Sequence, residues 1–205
     1  PNDTVILVYT SGTTGAPKGA MLSHRNIIFI AHAFHEFYPI TAKDNSVVYL
    51  PLCHVTERLL SVFLPLARCS TINFIEGQDT AFENITEVSP TYFLGVPRIW
   101  EKMYSSIILR MKDATWVGRK ALQISLSVGS KTADFEDKGL PVPAHVRLMQ
   151  GAADFLVLNN IKVLLGLDHV RIGLTGAAPI SPDLISWFRA LGVPLYEAFG
   201  QTENV

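Results

Sequence analysis

Short runs of apolar, β-branched or aromatic residues alternate along the chain with longer stretches whose apolar positions recur every three or four residues. The first kind predicts strands over 4–9, 46–50, 70–75, 91–95, 170–174 and 194–199. The second predicts helices over 23–37, 55–67, 79–88, 97–111, 114–130, 143–165 and 181–191. Strands separated by helices in this way are the pattern of an α/β protein, a mostly parallel β-sheet flanked by helices on both faces. Ligands gather at the carboxyl ends of strands in such sheets, so the segments 10–19, 175–179 and 200–203 are expected at such ends, where one site could contain all three.

Local chemistry sharpens several boundaries. Ser23 is an N-cap candidate ahead of Arg25-Asn26-Ile27-Ile28. Pro97 suits the first turn of a helix whose Trp100, Met103, Tyr104, Ile107, Ile108 and Met111 form one apolar stripe. Ser181-Pro182-Asp183 starts a helix that Gly192 stops. The segment from Phe135 to Pro143 predicts an exposed loop.

A chain of 205 residues can bury a sizeable core, most simply as one α/β unit spanning 1–205, and 48% hydrophobic against 17% charged content argues against disorder. A net charge of −1 offers no global field for nucleic acid, and no nucleic-acid partner is expected. Cys53 and Cys69 have no metal-site spacing and are expected to be reduced, buried thiols. No apolar run reaches the length of a membrane span. Neither an initiator methionine nor a signal peptide opens the chain, and both ends read as cuts through a longer, cytoplasmic polypeptide.

Charge is uneven locally. Residues 97–131 hold seven basic side chains (Arg98, Lys102, Arg110, Lys112, Arg119, Lys120, Lys131) against two acidic ones (Glu101, Asp113), a balance of +5. A solvated helix face accounts for this, and so does peripheral contact with the anionic inner face of a membrane.

The chemistry concentrates in four segments. In the first, Tyr9-Thr10-Ser11-Gly12-Thr13-Thr14-Gly15-Ala16-Pro17-Lys18-Gly19 follows the apolar run Val5 to Tyr9. Glycines allow close backbone approach, successive N–H groups and hydroxyls form an anion-binding concavity, and Lys18 adds a mobile positive charge. This predicts a strand entering a polyphosphate-gripping loop. It is not the Gly-Lys-Ser/Thr nucleotide loop, because Pro17 and Gly19 flank the lysine and a helix start there is unfavourable.

In the second, Tyr196-Glu197-Ala198-Phe199-Gly200-Gln201-Thr202-Glu203, an aromatic ring can meet a purine, Thr202 can donate to phosphate and Glu203 can hold Mg²⁺. The third, Gly176-Ala177-Ala178-Pro179, reads either as a ligand-facing turn or as an ordinary strand-to-helix connection. In the fourth, Leu50-Pro51-Leu52-Cys53-His54-Val55-Thr56-Glu57, His54 is either a structural or a catalytic histidine. His24, His32, His35, His145 and His169 form no metal-spaced set.

The stretch Tyr9 to Asn26, YTSGTTGAPKGAMLSHRN, closely resembles the phosphate-binding signature of the adenylate-forming superfamily of acyl-CoA synthetases, luciferases and peptide-synthetase adenylation domains. The other three segments also resemble that superfamily. Phe93-Leu94-Gly95-Val96-Pro97-Arg98-Ile99-Trp100-Glu101-Lys102 and the helical insertion over 112–165 are most like long-chain fatty acyl-CoA synthetases. Phe199 stands where the superfamily usually has tyrosine, so stacking survives without the phenolic hydrogen bond, and Gln201 replaces a small or aliphatic residue.

The resemblance implies part of a large N-terminal AMP-binding domain, with a C-terminal lid domain outside this chain. It implies ATP, Mg²⁺ and coenzyme A as cofactor and co-substrates, and a fatty acid as the group activated to acyl-adenylate and then thioester. Thr10, Ser11, Gly12, Thr13, Thr14, Gly15 and Lys18 would hold phosphates, with Thr202. Gly176, Ala177, Ala178, Tyr196, Phe199 and Gly200 would surround the nucleotide, Glu203 would bind Mg²⁺, and His54 would lie near the reacting carboxylate. The superfamily's ribose-binding aspartate and catalytic lysine fall beyond Val205, so this chain alone is expected to be inactive. The alternatives are a non-catalytic nucleotide- or acyl-binding module, and an adenylating enzyme with another acceptor, such as a carboxylic acid reductase. Apolar surface left bare would favour homodimers.

Overall fold

The computed structural model describes residues 1–10 and 16–203. The chain forms two compact units, one from Pro1–Asn84 with the tail from Phe199 onward, the other from Ile85–Ala198.

In the first unit, β1 (Thr4–Thr10) pairs antiparallel with β2 (Lys18–Ser23). Alternation sends Ile6, Val8 and Leu22 inward with Ile27, and Val5, Val55 and Phe63 pack against them. The opposite face leaves Leu7, Tyr9 and Met21 exposed. β2 was not expected: the sequence predicts a loop over 10–19 and no strand between it and Ser23. Gly19 and the run Ala20-Met21-Leu22 have little intrinsic strand preference, and pairing with β1 overrides it. The helix start at Ser23 is as expected: α1 (His24–Phe37) opens with a capping box in which Ser23 Oγ accepts from Asn26 N–H and the Asn26 side chain accepts from Ser23 N–H.

β3 (Asn45–Val48) and, after an intervening helix, β4 (Thr71–Phe74) pair in parallel. That helix is continuous but not uniform: α2 (Val55–Arg58), a π-helical turn over Leu59–Phe63 and α3 (Leu64–Arg68). Cys69 ends it in the left-handed region at φ 58°. Both cysteines are exposed, which corrects their expected burial; each sits in or beside a surface turn rather than on a core-facing stripe. α4 (Ala81–Val88) leads from the first unit into the second.

The second unit is built on a three-stranded parallel sheet in the order β5 (Tyr92–Gly95), β6 (Ile172–Thr175), β7 (Leu195–Glu197). Between β5 and β6 lie α5 (Pro97–Asp113), α6 (Trp116–Asp137) and a continuous helix made of α7 (Ala144–Ala153), a π turn over Asp154–Leu158 and α8 (Asn159–Leu165). α9 (Pro182–Ala190) connects β6 to β7. Parallel pairing with intervening helices bears out the α/β class, delivered as separate small sheets rather than one.

The Gly95–Trp100 segment shows why its residues occur together. Pro97 takes the first turn of α5, and fully buried Trp100 turns its indole back to donate to Gly95 O at 2.9 Å and Leu174 O at 3.3 Å. It thereby pins the ends of β5 and β6, with Phe93 and Phe188 packed edge-on at 5.5 and 4.9 Å. Met103 and Ile107 continue the buried stripe, while Ile108 is exposed and falls outside it.

α6 runs seven residues past its expected end at 130, into what reads as loop. Polar residues there still extend the helix, held by Lys138 to Asp134 at 3.0 Å and by Arg189 of α9 to Asp137. α6 meets α9 closely enough that a β-carbon on Gly129 would stand 1.8 Å from Ala190 O, so only glycine fits. The helix Ala144–Leu165 is, among the described residues, long and apolar enough to cross a bilayer by length and composition, which corrects the expectation that no run reaches that length. Leu148, Phe155 and Leu156 are exposed on it, and it carries a Lys162–Asp154 ion pair at 2.7 Å.

Candidate functional site

Two of the sequence-singled segments meet at the carboxyl ends of β6 and β7. Ala198 N–H donates to Thr175 O at 2.7 Å, and a β-carbon on Gly176 would stand 2.9 Å from Ala198 O. Glycine is therefore required where the two backbones approach. Ala177 follows at φ 67°, a left-handed conformation that L residues adopt only at some cost. Ala177 and Ala178 are exposed and small, so their backbone is open to a flat ligand. Beneath them Thr175 is fully buried and its Oγ1 has no hydrogen-bond partner.

Tyr196 lies on β7 with Arg189 over its ring at 5.4 Å. Together with Gly129, Thr132, Glu136 and Gln150 they line a cavity of about 330 Å³. The sequence offered no sign that Arg189 would reach this ring.

In the first unit, Thr10 ends β1 and Lys18 begins β2 as cross-strand partners, with Lys18 exposed. Ser11, Gly12, Thr13, Thr14 and Gly15 lie outside the described residues. His54 is exposed at the N-cap of α2, where its N–H donates to Pro51 O at 3.1 Å and its carbonyl accepts from Arg58 N–H at 3.1 Å. Phe199 is 96% exposed, Gly200 and Glu203 are exposed and Thr202 is half-buried. Among the described residues no three His, Cys, Asp or Glu side chains cluster for a metal. A single exposed carboxylate such as Glu203 still fits Mg²⁺, which is usually held by one or two carboxylates plus substrate phosphates.

One buried charged group was missed in the sequence. Glu57, only 3% exposed, accepts from the Leu50 N–H and from Ser61 Oγ. Burial raises its carboxyl above the ordinary value, and these two hydrogen bonds oppose that rise. The one available signal was Ser61, four residues on and so on the same helix face.

Residues 1–205 match the family model described as AMP-binding enzyme. The chain belongs to the AMP-binding enzyme family.

Relatives of this AMP-binding chain include the rat long-chain-fatty-acid–CoA ligase ACSBG2, 35% identical over 98% of the chain and 31% of the relative. A putative fatty-acid–CoA ligase, fadD11, of Mycobacterium tuberculosis is 32% identical over 99% of the chain and 36% of the relative. The chain thus spans about a third of the length of these curated relatives. Among solved structures, the A-PCP didomain of a carboxylic acid reductase from Segniliparus rugosus, in complex with AMP, aligns with TM-score 0.59 and 25% identity, over 97% of the chain and 24% of that structure. A malonyl-CoA ligase ternary product complex aligns with TM-score 0.63 over 98% of the chain and 34% of that structure, and at 22% identity speaks for the fold alone.

Proposed function

We propose that the protein carrying this chain is a long-chain fatty acid–CoA ligase. The observation that carries the reading is similarity along the whole chain to curated fatty-acid–CoA ligases, together with the backbone junction of Gly176 and Ala198 at the ends of parallel strands.

In the proposed reaction a fatty-acid carboxylate oxygen attacks the α-phosphorus of ATP, and the bond to pyrophosphate breaks. The thiol of coenzyme A then attacks the acyl carbon, releasing AMP and leaving a thioester. Mg²⁺, when bound, neutralises phosphate charge. Lys18, Ser11, Thr13 and Thr14 have the charge and hydroxyl donors to hold the β- and γ-phosphates. The small side chains of Gly176, Ala177 and Ala178 would leave their backbone open to adenine, while Phe199 would supply a stacking ring and Thr202 a phosphate donor. Glu203 supplies the carboxylate for Mg²⁺, and His54 faces the reacting carboxylate. Such residues lower the barrier by holding an in-line approach and by neutralising charge.

The test is ATP–pyrophosphate exchange by the full-length protein with fatty acids of graded length, followed by detection of acyl-CoA. Exchange without a CoA product would favour a second reading, transfer to another acceptor as in a carboxylic acid reductase; likeness to the reductase didomain is the observation behind it. Tight nucleotide binding with no exchange would favour a non-catalytic binding module. The chain by itself, about a third of its relatives' length, is expected to show little exchange.

Two partner readings accompany this one. The seven basic side chains of 97–131 are all exposed on α5 and α6, which suits peripheral contact of a cytoplasmic enzyme with an anionic membrane face. Co-sedimentation with phosphatidylserine vesicles checks it, and binding unchanged by neutralising Arg119 and Lys120 would refute it. The exposed Leu148, Phe155 and Leu156 suit self-association, which light scattering on the full-length protein would read as a dimer.

A further inference from the structure

The Leu50–His54 loop is tied to the helix that follows it at several points. Glu57 accepts from Leu50 N–H at the start of the loop. Arg58 Nε donates to Leu52 O in its middle. His54 closes it as the N-cap, its carbonyl accepting from Arg58 N–H. Of these groups the Glu57 side chain is the buried one, and it is held from the other side by Ser61 Oγ. Ser61 lies in the π-helical turn Leu59–Phe63, and such turns often occur where a helix is shaped around a functional site.

A carboxylate buried for packing alone would be unfavourable, because it loses hydration that an apolar side chain never had. Here its two partners are a loop N–H and a π-turn hydroxyl, so it joins the loop to the helix. We propose that Glu57 is a positioning residue: its carboxylate, between Leu50 N–H and Ser61 Oγ, fixes the Leu50–His54 loop and so the place of the His54 ring. This rests on the reading of His54 as the group facing the reacting carboxylate. Arg58 supports the same loop from solvent, where a hydrogen bond contributes less to order.

The experiment uses the full-length protein and two readouts. The first is amide hydrogen exchange of the 50–54 segment in Glu57→Ala, Glu57→Gln and Ser61→Ala. Exchange about ten-fold faster in Glu57→Ala, smaller in Ser61→Ala and near wild type in Glu57→Gln is expected. Unchanged exchange in all three would overturn the proposal, and Ser61→Ala keeps the test open if Glu57→Ala does not fold. The second is a cycle of Glu57→Ala with His54→Ala in ATP–pyrophosphate exchange. Glu57→Ala should lower kcat about ten-fold with the KM for ATP unchanged, Glu57→Gln should restore most of it, and the double variant should be no slower than His54→Ala alone. Losses that multiply would show Glu57 acting without His54 and overturn its positioning role. Full activity of His54→Ala would instead remove the reading of His54, leaving hydrogen exchange to decide whether Glu57 fixes the loop.

Discussion

Gly176 and Ala198 approach so closely that a β-carbon on residue 176 would lie 2.9 Å from the Ala198 carbonyl oxygen. This contact joins the turn after β6 to the end of β7. Gly176→Ala must push the two backbones apart by a few tenths of an ångström or rotate the Ala198 peptide. The expected outcome on the full-length protein is a KM for ATP raised about ten-fold, near 1.4 kcal/mol, together with a lowered thermal midpoint. An unaltered KM for ATP would remove this junction from the nucleotide surface.

Lys18 is exposed at the start of β2, opposite Thr10. Its removal should leave stability within about 0.5 kcal/mol, as for most surface substitutions. Lys18→Ala should nonetheless slow ATP–pyrophosphate exchange by roughly 10²-fold, the scale of losing one charge-stabilising donor. Wild-type exchange rates in that variant would exclude the lysine from phosphate handling.

Trp100 bonds the carbonyls of Gly95 and Leu174 from a fully buried position. Trp100→Phe keeps an aromatic ring but leaves both carbonyls without the indole donor, at a cost of about 1–3 kcal/mol. Trp100→Ala adds a cavity and should cost about 3–5 kcal/mol. Chemical denaturation followed by circular dichroism reads both. A phenylalanine variant as stable as wild type would show that the two hydrogen bonds contribute nothing net.

Glu57 gives a pH dependence of definite sign. Desolvation by burial raises its carboxyl above the ordinary 4.5, so the folded state holds the proton more tightly than the unfolded chain. Its contribution to stability is therefore fullest in acid and is lost as pH climbs from the ordinary value through the raised one. Glu57→Gln resembles the neutral form at every pH. Its stability relative to wild type should increase between about pH 4 and pH 7, and thermal midpoints measured across that range would check it. A constant difference would mean that the carboxyl titrates alike in both states.

Much of the fold was legible because its signals are local. Ser23 with Asn26, Pro97 at a helix start and Gly192 at φ 89° after a helix each depend on residues within a turn of one another. β2 was not legible, since its residues favour no strand without β1 beside them. The extra turns of α6 were hidden for a similar reason, being secured in part by Arg189 from another helix. At the site, Gly176 and Ala177 stood out by residue type, whereas Glu57 only closed the fourth segment and no role was read for it.

By itself the sequence determined the alternation of strands and helices, the caps, and the four segments whose residue types resemble the AMP-binding enzyme family. Those properties reside in residue types and short spacings. Only the tertiary structure decided which strands pair, that Ala198 O closes on Gly176, that Trp100 spans β5 and β6, and that Glu57 is buried against Leu50 and Ser61. The physical reason is that burial, desolvation and most of these contacts arise between groups brought together by packing, and one sequence does not encode them as any local pattern.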